Sequence, residues 1–158
     1  MTFVIKVVGL KRLQRKMLRR KNRLTGGNAR GVSKKANMQA LAVVDRWIQK
    51  NFDGQGKLSM GGGGWQPLSA RTLLARQKGW GDYVKSNNPK ILQNKGNLKN
   101  RWKHYASERT SYIRSTTDYG IYHHKGEGVP KRRITPTQKQ IRPQLKKHYR
   151  WFIRNGIR

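Results

Sequence analysis

The side chains able to do chemistry are few, and their spacing suits none of the common sites. The histidines are His104, His123, His124 and His148, and six acids lie scattered between Asp45 and Glu127. The adjacent pair His123 and His124 invites comparison with a histidine–metal nuclease, but the asparagine and second histidine of such a site do not follow at suitable spacing. A two-metal centre needs clustered carboxylates. Asp118 and Glu127 are the nearest acids to the pair, and neither sits in an acid-x-lysine arrangement. His123 therefore reads as a packed or hydrogen-bonded turn residue. The run "MGGGGWQPLSARTLL" (Met60 to Leu74) raises phosphate binding, since glycine-rich loops cradle phosphates with backbone amides. A P-loop also needs Lys-Ser/Thr directly after its last glycine, and Trp65-Gln66 stands there instead. No strand precedes the run, so it is no dinucleotide fingerprint either. There is no cysteine, which removes disulfides and thiolate ligands. No constellation activates a serine or lysine nucleophile. The expectation is a protein without enzymatic activity, cofactor or metal, with a metal-dependent nuclease as the weakest alternative.

Charge carries the strongest functional signal. Lys plus Arg number 37 against 6 Asp plus Glu, a formal net charge of +31. Such a chain repels itself and attracts polyanions: nucleic acid, an acidic protein surface or anionic lipid. The densest cluster is Lys11, Arg12, Arg15, Lys16, Arg19, Arg20, Lys21 and Arg23, with no acid before Asp45. Lys34 and Lys35, and Lys131, Arg132 and Arg133, form secondary patches. These cations are the expected contacts to DNA or an acidic partner. Phosphate contacts give salt-dependent, sequence-independent affinity, and no base-reading motif accompanies them. A solvated basic face without a ligand is the plain alternative.

The elements that must carry these residues are sparse in apolar material. Leu, Ile, Val and Phe make up about one fifth of the 158 residues, close to the composition of disordered chains. Five Trp and six Tyr add burial. The expectation is one domain stabilised by a partner or by self-assembly; the alternative is a basic domain with long disordered arms. No apolar run approaches the ~20 residues of a membrane span. Phe3 to Val8 is too short for a signal-peptide core, so an intracellular product is expected.

Thr2 to Val8 reads as a strand, and residues 10–24 as a basic helix with Leu10, Leu13, Met17 and Leu24 near one stripe. "TGGNARG" breaks it. Ser33 is the expected N-cap of a central helix from Lys34 to about Asn51. Leu41, Val44 and Ile48 line that helix, with Ala40, Val43 and Trp47 alongside. A glycine-rich loop (about 53–64) follows, then a short helix from Ala70 to Gln77 capped by Ser69. Leu98 to Ser107 and Thr110 to Thr117 read as strands joined by a tight turn, with Leu98, Trp102 and Ala106 on one face. "DYGIYHHKGEG" reads as a compact turn and "VPKRRITP" as an extended basic link. The tail from Thr137 is helical, with Pro143 starting or kinking the helix. The fold class is α+β: a small mixed or antiparallel sheet packed against the central helix, with a basic N-terminal helix and a C-terminal helix.

The order of motifs is similar to that of the phage virion morphogenesis family, the tail completion proteins. A Trp-x-Pro-Leu-Ser-x-x-Thr motif is matched by Trp65, Pro67, Leu68, Ser69 and Thr72. An Ile-Leu-x-x-x-Gly-x-Leu segment is matched by Ile91, Leu92, Gly96 and Leu98, and a Tyr-x-x-x-His-x-x-Gly turn by Tyr119, His123 and Gly126. The resemblance spans roughly Ala40 to Arg133. It departs at His124, where the family has Gln, and at "VPKRRITP", a loose echo of the family's Ile-Pro-Ala-Arg-Pro-Phe. The resemblance implies a structural virion protein at the head–tail junction or head-proximal tail end, assembling with itself as a ring. Its implied neighbours are head–tail connector, tail terminator or tail tube proteins, with double-stranded DNA passing through. Trp65, Pro67 and Leu68 are then expected to anchor the glycine-rich loop onto the central helix. The alternative is a stand-alone, sequence-nonspecific DNA- or RNA-binding basic protein.

Overall fold

A computed structural model describes residues 4–6, 15, 19, 30–107 and 111–155. Arg15 and Arg19 are helical. The other described elements are β1 (Val4–Lys6), α1 (Arg30–Asp53), α2 (Ala70–Lys78), α3 (Asn97–Asn100), β2 (Trp102–Ala106), β3 (Ser111–Ser115), α4 (Gly120–Lys125) and α5 (Gln138–Asn155). The class is α+β. By compactness the chain divides into two units of interleaved segments. A sheet unit takes Val4–Trp47, Lys103–Arg114 and Pro136–Arg158; a loop unit takes Ile48–Trp102 and Ser115–Thr135. No helix among the described residues is long and apolar enough to cross a membrane.

In the sheet unit the strand order is β1-β3-β2. β1 runs antiparallel to β3, with Ile5 opposite Ile113. β3 alternates as its sequence requires: Ser111, Ile113 and Ser115 are buried. Tyr112 stacks on Tyr105 of β2 at 4.8 Å, a cross-strand aromatic pair of the kind that fixes register. α1 buries Ala36, Ala40, Leu41, Val43, Val44 and Trp47, and α5 buries Ile141, Leu145, Tyr149 and Phe152. Both sets recur at three- and four-residue spacing, the signature of one helical face. Asn37 is buried with them and satisfied: its Nδ2 donates to the Ser107 carbonyl (2.7 Å) and its Oδ1 accepts from the Tyr149 hydroxyl (3.0 Å).

Two helix boundaries differ from the sequence reading. α1 starts at Arg30, so Ser33 lies inside the helix and does not cap it. One glycine, here Gly31, costs a helix only about 1 kcal/mol, less than burial of the apolar stripe returns. α5 runs from Gln138 and takes Pro143 into its interior. Pro143 lacks an N–H, so the bond it would donate one turn back is missing; the buried apolar stripe carries the helix through.

The loop unit holds the last turn of α1, where Ile48 and Phe52 are fully buried. α2 is capped at both ends. Ser69 Oγ accepts from the Thr72 amide (3.2 Å), and Gly79 takes the left-handed conformation at φ 71°. Ser69→Ala is expected to lower stability by about 1 kcal/mol, read as a shifted urea midpoint with unchanged m-value.

Three segments here correct the sequence reading. Leu98 belongs to the helical turn α3 and is fully buried, so the strand starts only at Trp102. A one-residue slip in such a short strand changes face, and Leu98 reaches the core through a turn instead. "GIYHHK" is helical, closed by Gly126 at φ 85°. The segment 131–135 is extended but is not a surface patch throughout: Arg132, Ile134 and Thr135 are buried.

Candidate nucleic-acid interface

Of the dense basic cluster, Arg15 and Arg19 are described, one helical turn apart and both exposed. Lys11, Arg12, Lys16, Arg20, Lys21 and Arg23 lie outside the described residues, as does the turn around Glu108 and Arg109. Lys34 and Lys35 are exposed on the first turns of α1. Sequence reading passed over the more regular feature, α5. Lys139, Arg142, Lys146 and Arg150 recur at i, i+3, i+7 and i+11 and share one face, with Lys147 and Arg154 beside them. All six are exposed, and α5 contains no acid. From Lys139 to Arg154 the row is about 22 Å long at 1.5 Å per residue. Trp151 lies on the same helix, 56% exposed. The signal was present as cations at helical spacing, complementary to the buried stripe Ile141, Leu145, Tyr149 and Phe152.

In the loop unit the three cations of the other secondary patch part company. Lys131 is exposed and Arg133 half-exposed, whereas Arg132 is 5% exposed and leaves the surface patch. Arg132 Nη2 donates to the Gln66 carbonyl and Nη1 to His123 Nδ1, both at 3.3 Å. Its backbone amide donates to the His123 carbonyl (2.7 Å). The Ile134 amide donates to His124 Nδ1 (3.3 Å). Arginine has no acceptor and an amide can only donate, so both rings present a lone pair at Nδ1 and are neutral. Burial, then the neighbouring cations (Arg132 for His123; Arg133 and Lys131 for His124), pulls both rings down to about 4. The two histidines thus hold the segment 131–135 in place. Among the described residues no three His, Asp or Glu side chains come together as metal ligands would.

The motif residues gather around the same segment. Trp65 is buried edge-on to Phe52 (5.2 Å between ring centres). Its Nε1 donates to the Arg133 carbonyl (3.2 Å), and its amide to the Gln55 carbonyl (2.7 Å). Asn51 Nδ2 donates to the carbonyls of Arg133 (3.1 Å) and Ile134 (3.3 Å). Pro67 is exposed and Leu68 half-buried, so Trp65 is the one fully buried residue of the three. Ser69 and Thr72 form the cap of α2. Ile91 is buried and donates its amide to Gln55 Oε1 (2.7 Å); Leu92 takes φ 59° and Gly96 φ 69° ahead of α3. Leu98 fills the space over Gly120, where a Cβ would stand 2.7 Å from its Cδ1. Tyr119 meets His123 edge-on.

The glycine run has a backbone reason. Gly61, Gly62 and Gly64 all take positive φ, yet a Cβ at Gly61 or Gly62 would meet nothing. The close approach is at Gly56, where a Cβ would lie 2.2 Å from the Trp65 ring. That glycine is what admits the indole.

A second buried cation, one the sequence reading did not single out, is Arg76 of α2, 5% exposed. Its Nη1 donates to the carbonyls of Asn88 (3.2 Å) and Lys90 (2.8 Å), and its guanidinium lies 5.9 Å over the Tyr83 ring. Comparison of the chain with family models, curated proteins and solved structures yields no match.

Proposed function

We propose that the chain is a structural protein of a tailed-phage virion, completing the tail or neck at the head–tail junction as a ring around the DNA path. The observation that carries the polyanion half of this reading is the exposed, carboxylate-free row Lys139, Arg142, Lys146 and Arg150. A rigid helix holds these cations at fixed spacing, and phosphate contacts need nothing more specific. The exposed Arg15 and Arg19 add to the charge available in the same unit. The virion half rests on the ordered motifs from Trp65 to Gly126. A thin apolar composition agrees with subunits that gain stability from neighbours.

Two measurements test the two halves. For duplex DNA, log K against log salt is expected to fall steeply. Replacing Arg142, Lys146 and Arg150 by Gln together should reduce the slope magnitude by about 3, near 0.9 for each phosphate no longer neutralised. An unchanged slope removes α5 from the interface. For the virion, the protein should be present in purified particles at a fixed multiple per particle. DNA binding without any place in a particle would instead select the stand-alone, sequence-nonspecific binder.

A further inference from the structure

Among the described residues, Arg76 and Arg132 are the two arginines of the loop unit's interior, each 5% exposed. A buried cation is ordinarily paired, because an uncompensated one costs several kcal/mol. Neither has a carboxylate. The described ion pairs are Lys99 with Asp53, His104 with Asp45 and Lys125 with Glu127, and none includes either arginine. The partners they do have are neutral: carbonyls of Gln66, Asn88 and Lys90, and the lone pair of His123. These occupy Nη1 of Arg76 and both Nη of Arg132, and leave the Nε–H of both arginines buried without an acceptor. The Nε edge is the side of the guanidinium fork that takes a second oxygen in bidentate oxyanion recognition.

The charge of Arg76 holds Arg132 below its ordinary proton affinity, after the larger effect of burial. Their anchors converge as well: Gln55 takes the Trp65 amide on its carbonyl and the Ile91 amide on its side chain. Gln66, bound by Arg132, follows Trp65; Lys90, bound by Arg76, precedes Ile91. Two interior cations of like charge, each presenting a buried Nε–H, suit an anion that meets both.

We propose that Arg76 and Arg132 form an internal site for a small divalent oxyanion, inorganic phosphate or sulfate. A dianion neutralises both guanidiniums, whereas one carboxylate neutralises half the pair. Side chains this deeply buried are out of reach of a duplex backbone, so the site is independent of the function proposed above.

The full chain, labelled with nitrogen-15, provides the test. At neutral pH exposed arginine Nε–H protons exchange quickly, so the slowly exchanging signals report the buried pair. Arg76→Lys and Arg132→Lys, which keep the charge but lack Nε, assign them. Titration with sodium phosphate, against sodium chloride at matched ionic strength, is expected to move both signals to saturation. Sulfate should reproduce the shift. The same additions should raise the Tm of the unaltered protein by several degrees more than chloride does. Signals that stay fixed in phosphate, or move equally in chloride, overturn the site. Should the lysine variants fail to fold, the titration of the unaltered protein still decides, because both protected signals must respond together with one midpoint.

Discussion

Trp65→Ala is expected to lower the unfolding free energy by about 3–5 kcal/mol, on the order of 10 °C in Tm for a chain of this size. Three losses combine at this position. The indole is 4% exposed and meets Phe52 edge-on, so truncation removes a large apolar area and leaves a cavity beside a fully buried ring. The Nε1–H donated to the Arg133 carbonyl disappears. Gly56, whose backbone approaches the ring closely enough to exclude any Cβ, is left lining empty space. Trp65→Phe separates the terms. It restores most of the apolar area but not the donor, and should cost about 1 kcal/mol from the hydrogen bond plus a smaller cavity. Chemical unfolding followed by circular dichroism decides. A loss below about 1 kcal/mol for Trp65→Ala, well under the range for a buried aromatic, would mean that the loop is not anchored through this ring.

That anchor was legible from the Trp-x-Pro-Leu-Ser-x-x-Thr motif and not from the residue type alone, since Trp80, set between Gly79 and Gly81, is 58% exposed. Local rules made more legible: the stripe Ala40, Leu41, Val44, Trp47 and Ile48 follows from helical periodicity, and Ser69 from the cap chemistry of "SART". The failures share a cause. Charge was read as exposure, so Arg76 and Arg132 were not seen as interior residues. Nothing local marks them; what buries them is a set of backbone carbonyls at Gln66, Asn88 and Lys90, brought in by the tertiary fold. Leu98 was placed on a strand because "LKNRWKHYAS" alternates, and two-residue alternation over so few positions does not separate a strand from a turn followed by one. The α5 face was hidden by Pro143. A helix started or kinked at that proline takes Lys139 and Arg142 out of register with Lys146 and Arg150, whereas the continuous helix puts all four on one face. The order of the two histidines and the extended segment beyond them was visible, but its meaning, a pair of Nδ1 acceptors at a backbone, was not.

That pair sets the response of the fold to acid. His123 and His124 bind protons only at about pH 4 when folded, against about 6.5 when unfolded. Between those limits the unfolded chain holds more protons, so stability rises with pH there and is lost as pH falls from about 6.5 to 4. Above that window these rings add no slope. Each pKa step between the two states corresponds to about 1.4 kcal/mol. Both rings are half-exposed, and solvent screening cuts the full value to roughly 1–2 kcal/mol for each. His148 is displaced in the same direction, by burial first and by Arg46 after it, against a backbone hydrogen bond at Ala36 that opposes them. Since domains commonly hold about 5–15 kcal/mol in all, the combined loss is a large share. The structural route is specific: a proton on Nδ1 would face the Arg132 guanidinium at His123 and the Ile134 amide at His124, forcing both bonds apart and freeing the segment that carries the Trp65 contact. Urea midpoints measured from about pH 7.5 down to about 4.5 should fall steadily below about 6.5. His124→Asn, which keeps a side-chain acceptor but cannot titrate, should flatten that fall by about the share of one ring. A profile that stays level to about pH 5 and drops only where carboxylates titrate would show that the histidines do not carry the transition.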